Sequence, residues 1–197
     1  MDWHALLEEG KWPLLEQQSP RLCADRIDYS FRDAVTLHLI PQNEVPAIIS
    51  GFVIQEGRIV FASQQLARRF AELYLTCDSE CWSAPKSVVL YQLTARPLRR
   101  ASTIGILGET ELWLSDRKLW DHLGSYPDAE LQDCLKAILT ASALVSPDLG
   151  NGQVIHSKVR TIDPDIRTAN GPVPLSNLEP SWAHKLKAHR QSHGIPS

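Results

Sequence analysis

The 197-residue sequence predicts a mainly α protein with a small β-hairpin and one late strand. Three observations carry that reading. Apolar residues recur at spacings of three and four through several long stretches. Two β-branched runs flank a two-residue turn that ends in Gly57. Prolines and cap residues punctuate the chain where helices should start and stop.

The elements follow in order. Residues 2–9 read as a short amphipathic helix with Trp3, Leu6 and Leu7 on one side. Pro20 stands where a helix likes to begin. A helix over 21–38 follows, its apolar stripe made by Ala24, Ile27, Phe31, Ala34 and Val35. Phe52-Val53-Ile54-Gln55, Glu56-Gly57 and Arg58-Ile59-Val60-Phe61 form the hairpin signal. Ser63 caps a helix that carries Leu66, Phe70 and Leu73 inward and leaves Arg68 and Arg69 outside. Another helix starts near Ser83, and Pro97 predicts a kink or break near Arg96, because proline removes a donor and crowds the preceding turn. Ser115-Asp116 caps a helix through Leu119 to Leu123, which Gly124 stops. Residues 128–141 form a helix with Leu131, Leu135, Ile138 and Leu139 inward. Residues 154–162 read as the late strand, and 180–189 as a last short helix. The organisation expected is one domain over 1–180 with a short helix and flexible tail over 181–197.

Composition narrows the function classes. Lys plus Arg is 20 and Asp plus Glu is 23, a formal net charge of −3. A slightly acidic chain lacks the basic field that a general nucleic-acid or membrane-surface binder needs. The hydrophobic fraction of 43% is too high for a disordered chain. No apolar run approaches the ~20 residues of a membrane span. The acidic start is unlike a secretory signal, so a cytoplasmic protein with four reduced cysteines is expected. Cys77 and Cys81 lack the histidine partners of a zinc site. His184, His189 and His193 read as solvated tail residues. The six tryptophans are too dispersed for a stacking platform and read mostly as core or cap pieces. Lys86, Arg96, Arg99 and Arg100 form a basic cluster, either a phosphate patch or a solvated helix face.

The chemistry concentrates on the helix over 21–38. Asp25, Asp28, Tyr29, Arg32 and Asp33 fall at i, i+3, i+4, i+7 and i+8 and share a face away from the apolar stripe. One reading is a solvated face with an Asp28–Arg32 pair. The other is a cation or phosphate site. Asp25 then offers a carboxylate to a divalent metal, Tyr29 a ring and hydroxyl to a sugar or base, and Arg32 a fork to a phosphate oxygen.

The run Ala24-Asp25-Arg26-Ile27-Asp28-Tyr29-Ser30-Phe31-Arg32-Asp33 resembles the last active-site helix of the HD-domain metal-dependent phosphohydrolases, nearest the deoxynucleoside triphosphate triphosphohydrolase branch. The resemblance implies an HD-like helical fold, of which this chain looks like the C-terminal half. It implies that Asp25 is the final metal ligand, that Arg26 and Tyr29 contact a nucleotide, and that Asp33 helps hold the sugar. Further on, Trp82 and Lys86 are similar to an aromatic and a basic position of the family, with Lys86 a further substrate contact; the histidine between them is missing. Leu114-Ser115-Asp116 with Leu119-Trp120, then Lys158-Val159-Arg160 and Asp163-Pro164, resemble later family segments. Loosely, the similarity spans 20–180.

The family needs an upstream His and a His-Asp dyad to complete its metal site, with Mn, Mg, Fe or Zn as the implied ion. No His-Asp dipeptide occurs here; Asp121-His122 is in the reverse order. A gene fragment, an alternative start or a remnant without chemistry is therefore expected, inactive alone. The alternatives are a nucleotide-binding or regulatory module without catalysis, alone or paired with a chain carrying the dyad, and an unrelated helical interaction domain. A nucleotide ligand and a homo-oligomer are the partners implied.

Overall fold

In the computed structural model, residues 9–143 and 158–193 are described. The expected helix over 2–9 lies almost wholly outside them. The chain divides into two units, Met1–Ser83 with Ser157–Ser197, and Ala84–His156. The architecture is mainly helical with a small sheet, as the sequence predicts.

In the first unit, α1 (Ala24–Thr36) and α3 (Gln64–Cys77) frame the hairpin, with the short α2 (Val45–Ile49) ahead of it. α1 begins three residues later than predicted, because Cys23 is still extended and precedes the helix. Strands β1 (Phe52–Gln55) and β2 (Arg58–Phe61) pair antiparallel in the predicted register, Gln55 opposite Arg58. Glu56 and Gly57 both have positive φ, +50° and +71°, the conformation of a two-residue turn matched to strand twist. Ser63 caps α3 by accepting from the Leu66 amide. The four phenylalanines of the chain meet: Phe31–Phe70 centroids lie 5.1 Å apart, Phe52–Phe61 4.3 Å and Phe61–Phe70 5.9 Å. Such pairs add ~0.5–1.5 kcal/mol each beyond burial.

The late strand falls further along than its residues suggest. Residues 158–162 are irregular, and 154–157 lie outside the described residues. Instead β3 (Asp165–Ile166) joins β2 in parallel at Phe61 opposite Ile166, and β4 (Val173–Pro174) pairs antiparallel with β3. The β-branched run at 158–162 is held through side chains and loop contacts: Ile162 is buried in the core, and the Asp163 amide donates to the Pro20 carbonyl. Asp163 then accepts from the amide and hydroxyl of Ser176, holding the start of α7 (Leu175–Leu178). The last helix, α8 (Pro180–Ser192), sets Trp182 fully buried in the same core, with the Arg68 guanidinium 5.3 Å from its ring.

The second unit comprises α4 (Pro85–Thr103), α5 (Asp116–Ser125) and α6 (Ala129–Ala143) around Ala101, Leu123 and Leu131. Of the kink or break expected near Arg96, the break does not occur; α4 runs through Pro97. Proline costs one backbone bond and a local clash, but here its ring is fully buried in a packed helix. Arg100 fastens α4 to α6, donating through Nε and Nη2 to the two Asp128 oxygens at 3.1 and 2.8 Å. Asp128 Oδ1 also accepts from the Leu131 amide, capping α6. Glu130 meets the same guanidinium at 3.0 Å. Of the other tryptophans, Trp120 packs here while Trp113 stays exposed. No helix among the described residues is long and apolar enough to cross a membrane.

This packing sets two measurable outcomes. Trp182→Ala removes the largest buried side chain of the first unit and should destabilise it by ~3–5 kcal/mol in urea unfolding, as cavity formation demands; an unchanged midpoint would show α8 to be dispensable. The Arg100 hydrogen bond lowers the Asp128 carboxyl below its ordinary value of 3.8. The folded state therefore binds that proton less readily, so the contribution is full above pH 3.8 and fades as pH falls through the lowered value. Asp128→Asn should flatten that part of the acid-unfolding profile, read by circular dichroism.

Candidate functional site

α1 presents two faces to two different hollows. Successive helical residues are set about 100° apart, so the five polar residues grouped from the sequence span an arc of about 140°, wide enough to divide. Asp28 and Arg32 form an exposed 2.9 Å pair beside an apolar groove lined by Ile27, Phe31, Ile49 and Phe52. Asp25, Arg26 and Tyr29 instead line a polar cavity of about 710 Å³. Its other walls are the loop from Gly10 to Ser19, Tyr74 of α3, and Lys158, Val159 and Arg160. All of these belong to the first unit.

Each predicted residue has a definite place. Asp25 is exposed at the cavity edge. Arg26 sits inside a web of its own: its Nη1 donates to the Arg21 carbonyl at 2.5 Å and meets Cys23 Sγ at 3.3 Å, while Nη2 donates to the Gln17 carbonyl at 3.0 Å. Glu16 stands 3.5 Å from it. This arginine stitches the entry loop to the helix, and its side chain is only 13% exposed. Tyr29 is half-buried, its hydroxyl 2.6 Å from that of Tyr74. Asp33 does not line the cavity; its Oδ2 accepts from Trp82 Nε1 at 2.7 Å. Lys86 is exposed in the first turn of α4, in the second unit. Of the basic cluster, Arg100 is engaged by Asp128 and Glu130, while Arg96 and Arg99 are exposed.

Two aromatic rings, Tyr29 and Tyr74, line the cavity, and Trp82 packs behind them. Trp82 meets Tyr29 and Tyr74 edge-on, with centroids 5.1 and 4.9 Å away. The Arg160 guanidinium lies 5.8 Å from the Trp82 ring. Burial pushes both tyrosines above their ordinary range, Tyr74 strongly so. Both are neutral phenols near pH 7, able to donate and accept hydrogen bonds but not to act as bases. Burial also raises Cys77, to about 12, so it is no ready metal ligand.

Behind the cavity lies a network that the sequence did not disclose. α3 runs into a π-helical turn, Asp78–Trp82, and Asp78 is fully buried. His189 Nε2 of α8 donates to Asp78 Oδ2 at 2.8 Å, and the Arg160 amide donates to Asp78 Oδ1 at 3.1 Å. His193 contacts the Ser83 hydroxyl at 3.0 Å. His189 and His193 are thus not solvated tail residues, because α8 docks into the core and turns one face inward. Tyr74, Lys158 and Arg160 were likewise missed as site residues. A Tyr on the inward stripe of α3 and the Lys-Val-Arg alternation were the available signals.

The described residues do not by themselves fit a metal ion. Among them, no group of three or more His, Cys, Asp or Glu side chains converges. Asp25 brings one carboxylate, and the other cavity acid, Glu16, faces Arg26. What the cavity does offer is cations, two phenols and an aromatic floor, a donor set suited to an anionic ligand with a flat or sugar-like part.

No family model matches the chain, and no solved structure matches it. It is similar to Metal-dependent phosphohydrolase cns2 of Cordyceps militaris, with 29% identity over 187 residues, 90% of this chain and 53% of that protein. It is also similar to Uncharacterized protein YdhJ of Bacillus subtilis, with 27% identity over 161 residues, 82% of this chain and 50% of that one. The chain therefore spans about half the length of the curated relatives it matches, and the first of them is by name a metal-dependent phosphohydrolase.

Proposed function

We propose that this chain is related to the HD-domain nucleotide phosphohydrolases and forms the nucleotide-facing wall of such a site, without turning over substrate alone. The observation that carries the reading is the convergence of Asp25, Arg26 and Tyr29 on one polar cavity, with an aromatic floor beneath it. The likeness to a metal-dependent phosphohydrolase supports it.

In this reading Asp25 is the carboxylate that a divalent ion meets when the remaining ligands come from residues outside the described set. Tyr29 gives its hydroxyl and ring edge to the nucleoside. Arg26 lends positive charge to the entry loop while holding it in place. Asp33 acts at one remove, fixing Trp82 behind Tyr29. The triphosphohydrolase-like branch and the C-terminal-half assignment belong to the same proposal, as does a homo-oligomer. A non-catalytic nucleotide-binding module is the second reading, favoured by the absence of a converging ligand group among the described residues.

Purified chain mixed with deoxynucleoside triphosphates and Mn²⁺ or Mg²⁺ should release neither phosphate nor tripolyphosphate above background. It should nonetheless gain thermal stability with nucleotide, up to ~2.7 kcal/mol at a hundred times the dissociation constant. Tyr29→Ala should abolish the gain. Robust hydrolysis lost in Asp25→Ala would overturn the inactivity, and no stabilisation by any nucleotide would overturn the binding.

A further inference from the structure

Two cations on the cavity wall stand apart from acids. Among the described residues, no carboxylate lies within ion-pair distance of Lys158 Nζ or the Arg160 guanidinium, whereas Arg26 has Glu16. Lys158 is exposed, and Arg160 is half-buried over the Trp82 ring, its Nη1 donating to the Lys158 carbonyl at 3.2 Å. The two charges stand two residues apart on one irregular segment, facing the same hollow as Asp25 and Tyr29. An irregular segment holds a charge in place only when something outside it fixes the backbone. Here the fixing is specific. The Arg160 amide is bonded to buried Asp78, whose other oxygen is bonded to His189. One residue on, the Thr161 hydroxyl accepts from Arg190 Nη2 at 3.1 Å, and its carbonyl accepts from Ser19 Oγ at 2.9 Å.

We propose that Lys158 and Arg160 are the phosphate contacts of the cavity, and that His189, acting through Asp78, is the positioning residue that sets Arg160 in place. The proposal rests on the reading that the cavity takes a phosphate-bearing ligand. A phosphate chain is the chemistry that fits: a guanidinium fork and an ammonium side by side neutralise two neighbouring charged oxygens, and the fork gives two parallel hydrogen bonds. His189 never touches the ligand. Its imidazole Nε2–H holds Asp78 Oδ2, which fixes the carboxylate with Oδ1 turned to the Arg160 amide.

The test is a double-mutant cycle on the full chain, read by calorimetric titration of inorganic tripolyphosphate without metal and, in parallel, of a nucleoside triphosphate. Arg160→Ala should weaken tripolyphosphate about tenfold or more, the scale of a lost charged hydrogen bond. Lys158→Ala should weaken it less and lower its salt dependence. His189→Ala should weaken it only while Arg160 is present: in the Arg160→Ala background it should change affinity by less than about twofold. His189→Gln, which keeps a donor near the Nε2 position, should restore the wild-type value. Where His189→Ala does not fold, Arg190→Ala is the second handle, with a milder loss that again requires Arg160.

Equal losses from His189→Ala with and without Arg160 would reduce His189 to a structural residue and overturn its role. Tripolyphosphate affinity indifferent to both Lys158 and Arg160, or no tripolyphosphate binding at all, would overturn the assignment of the cations. The two readings fail separately. A nucleoside triphosphate that binds no better than tripolyphosphate and ignores Tyr29→Ala sinks the nucleotide reading alone. Tight, Tyr29-dependent nucleotide binding that ignores Lys158 and Arg160 sinks the present inference alone.

Discussion

A carboxylate stripped of water organises the first unit. Asp78 is fully buried, and an ionised group in that position costs several kcal/mol unless hydrogen bonds replace its hydration. Two donors do so, and they come from distant parts of the chain: an imidazole 111 residues later and an amide 82 residues later. The end of α3, the π-helical turn, the cationic segment and α8 are therefore locked to one another. A π-helical turn leaves one residue more than an α-turn needs, and such insertions concentrate at sites where backbone must be re-aimed. Here it carries Trp82 behind Tyr29 and Tyr74, and Asp78 to the interior.

The cavity inherits its character from that lock. Tyr29 and Tyr74, whose hydroxyls meet, supply the aromatic part of the lining, and Trp82, held by Asp33 through its indole nitrogen, packs behind both rings. Neutral phenols, a cationic rim and a lone exposed carboxylate favour binding and orientation of an anion over proton transfer. Such a donor set suits recognition of an anion.

The second unit is stabilised differently. Its core is small, and α4 and α6 are joined through one arginine shared by two acids, one of which also caps a helix. Among its described residues, Trp113 and Leu112 are exposed. Pro97 is tolerated because burial of its ring within a long packed helix offsets the lost backbone bond.

Local chemistry was readable from the residues in order. The hairpin register followed from two β-branched runs around a Glu-Gly turn, since only a turn with positive φ joins strands of that twist over two residues. The cap at Ser63, the stripe on α1 and the placement of Asp25 beside Tyr29 came from periodicity, which acts over a few residues. The boundaries of the polar face were less legible, because an arc of about 140° on a helix can border two hollows at once. Nothing in the sequence paired Asp78 with His189, or moved the late strand from 154–162 to Asp165–Ile166. Those choices were made by burial: an extended run becomes a strand only where a partner edge is free, and a histidine becomes structural only where a distant carboxylate has already lost its water.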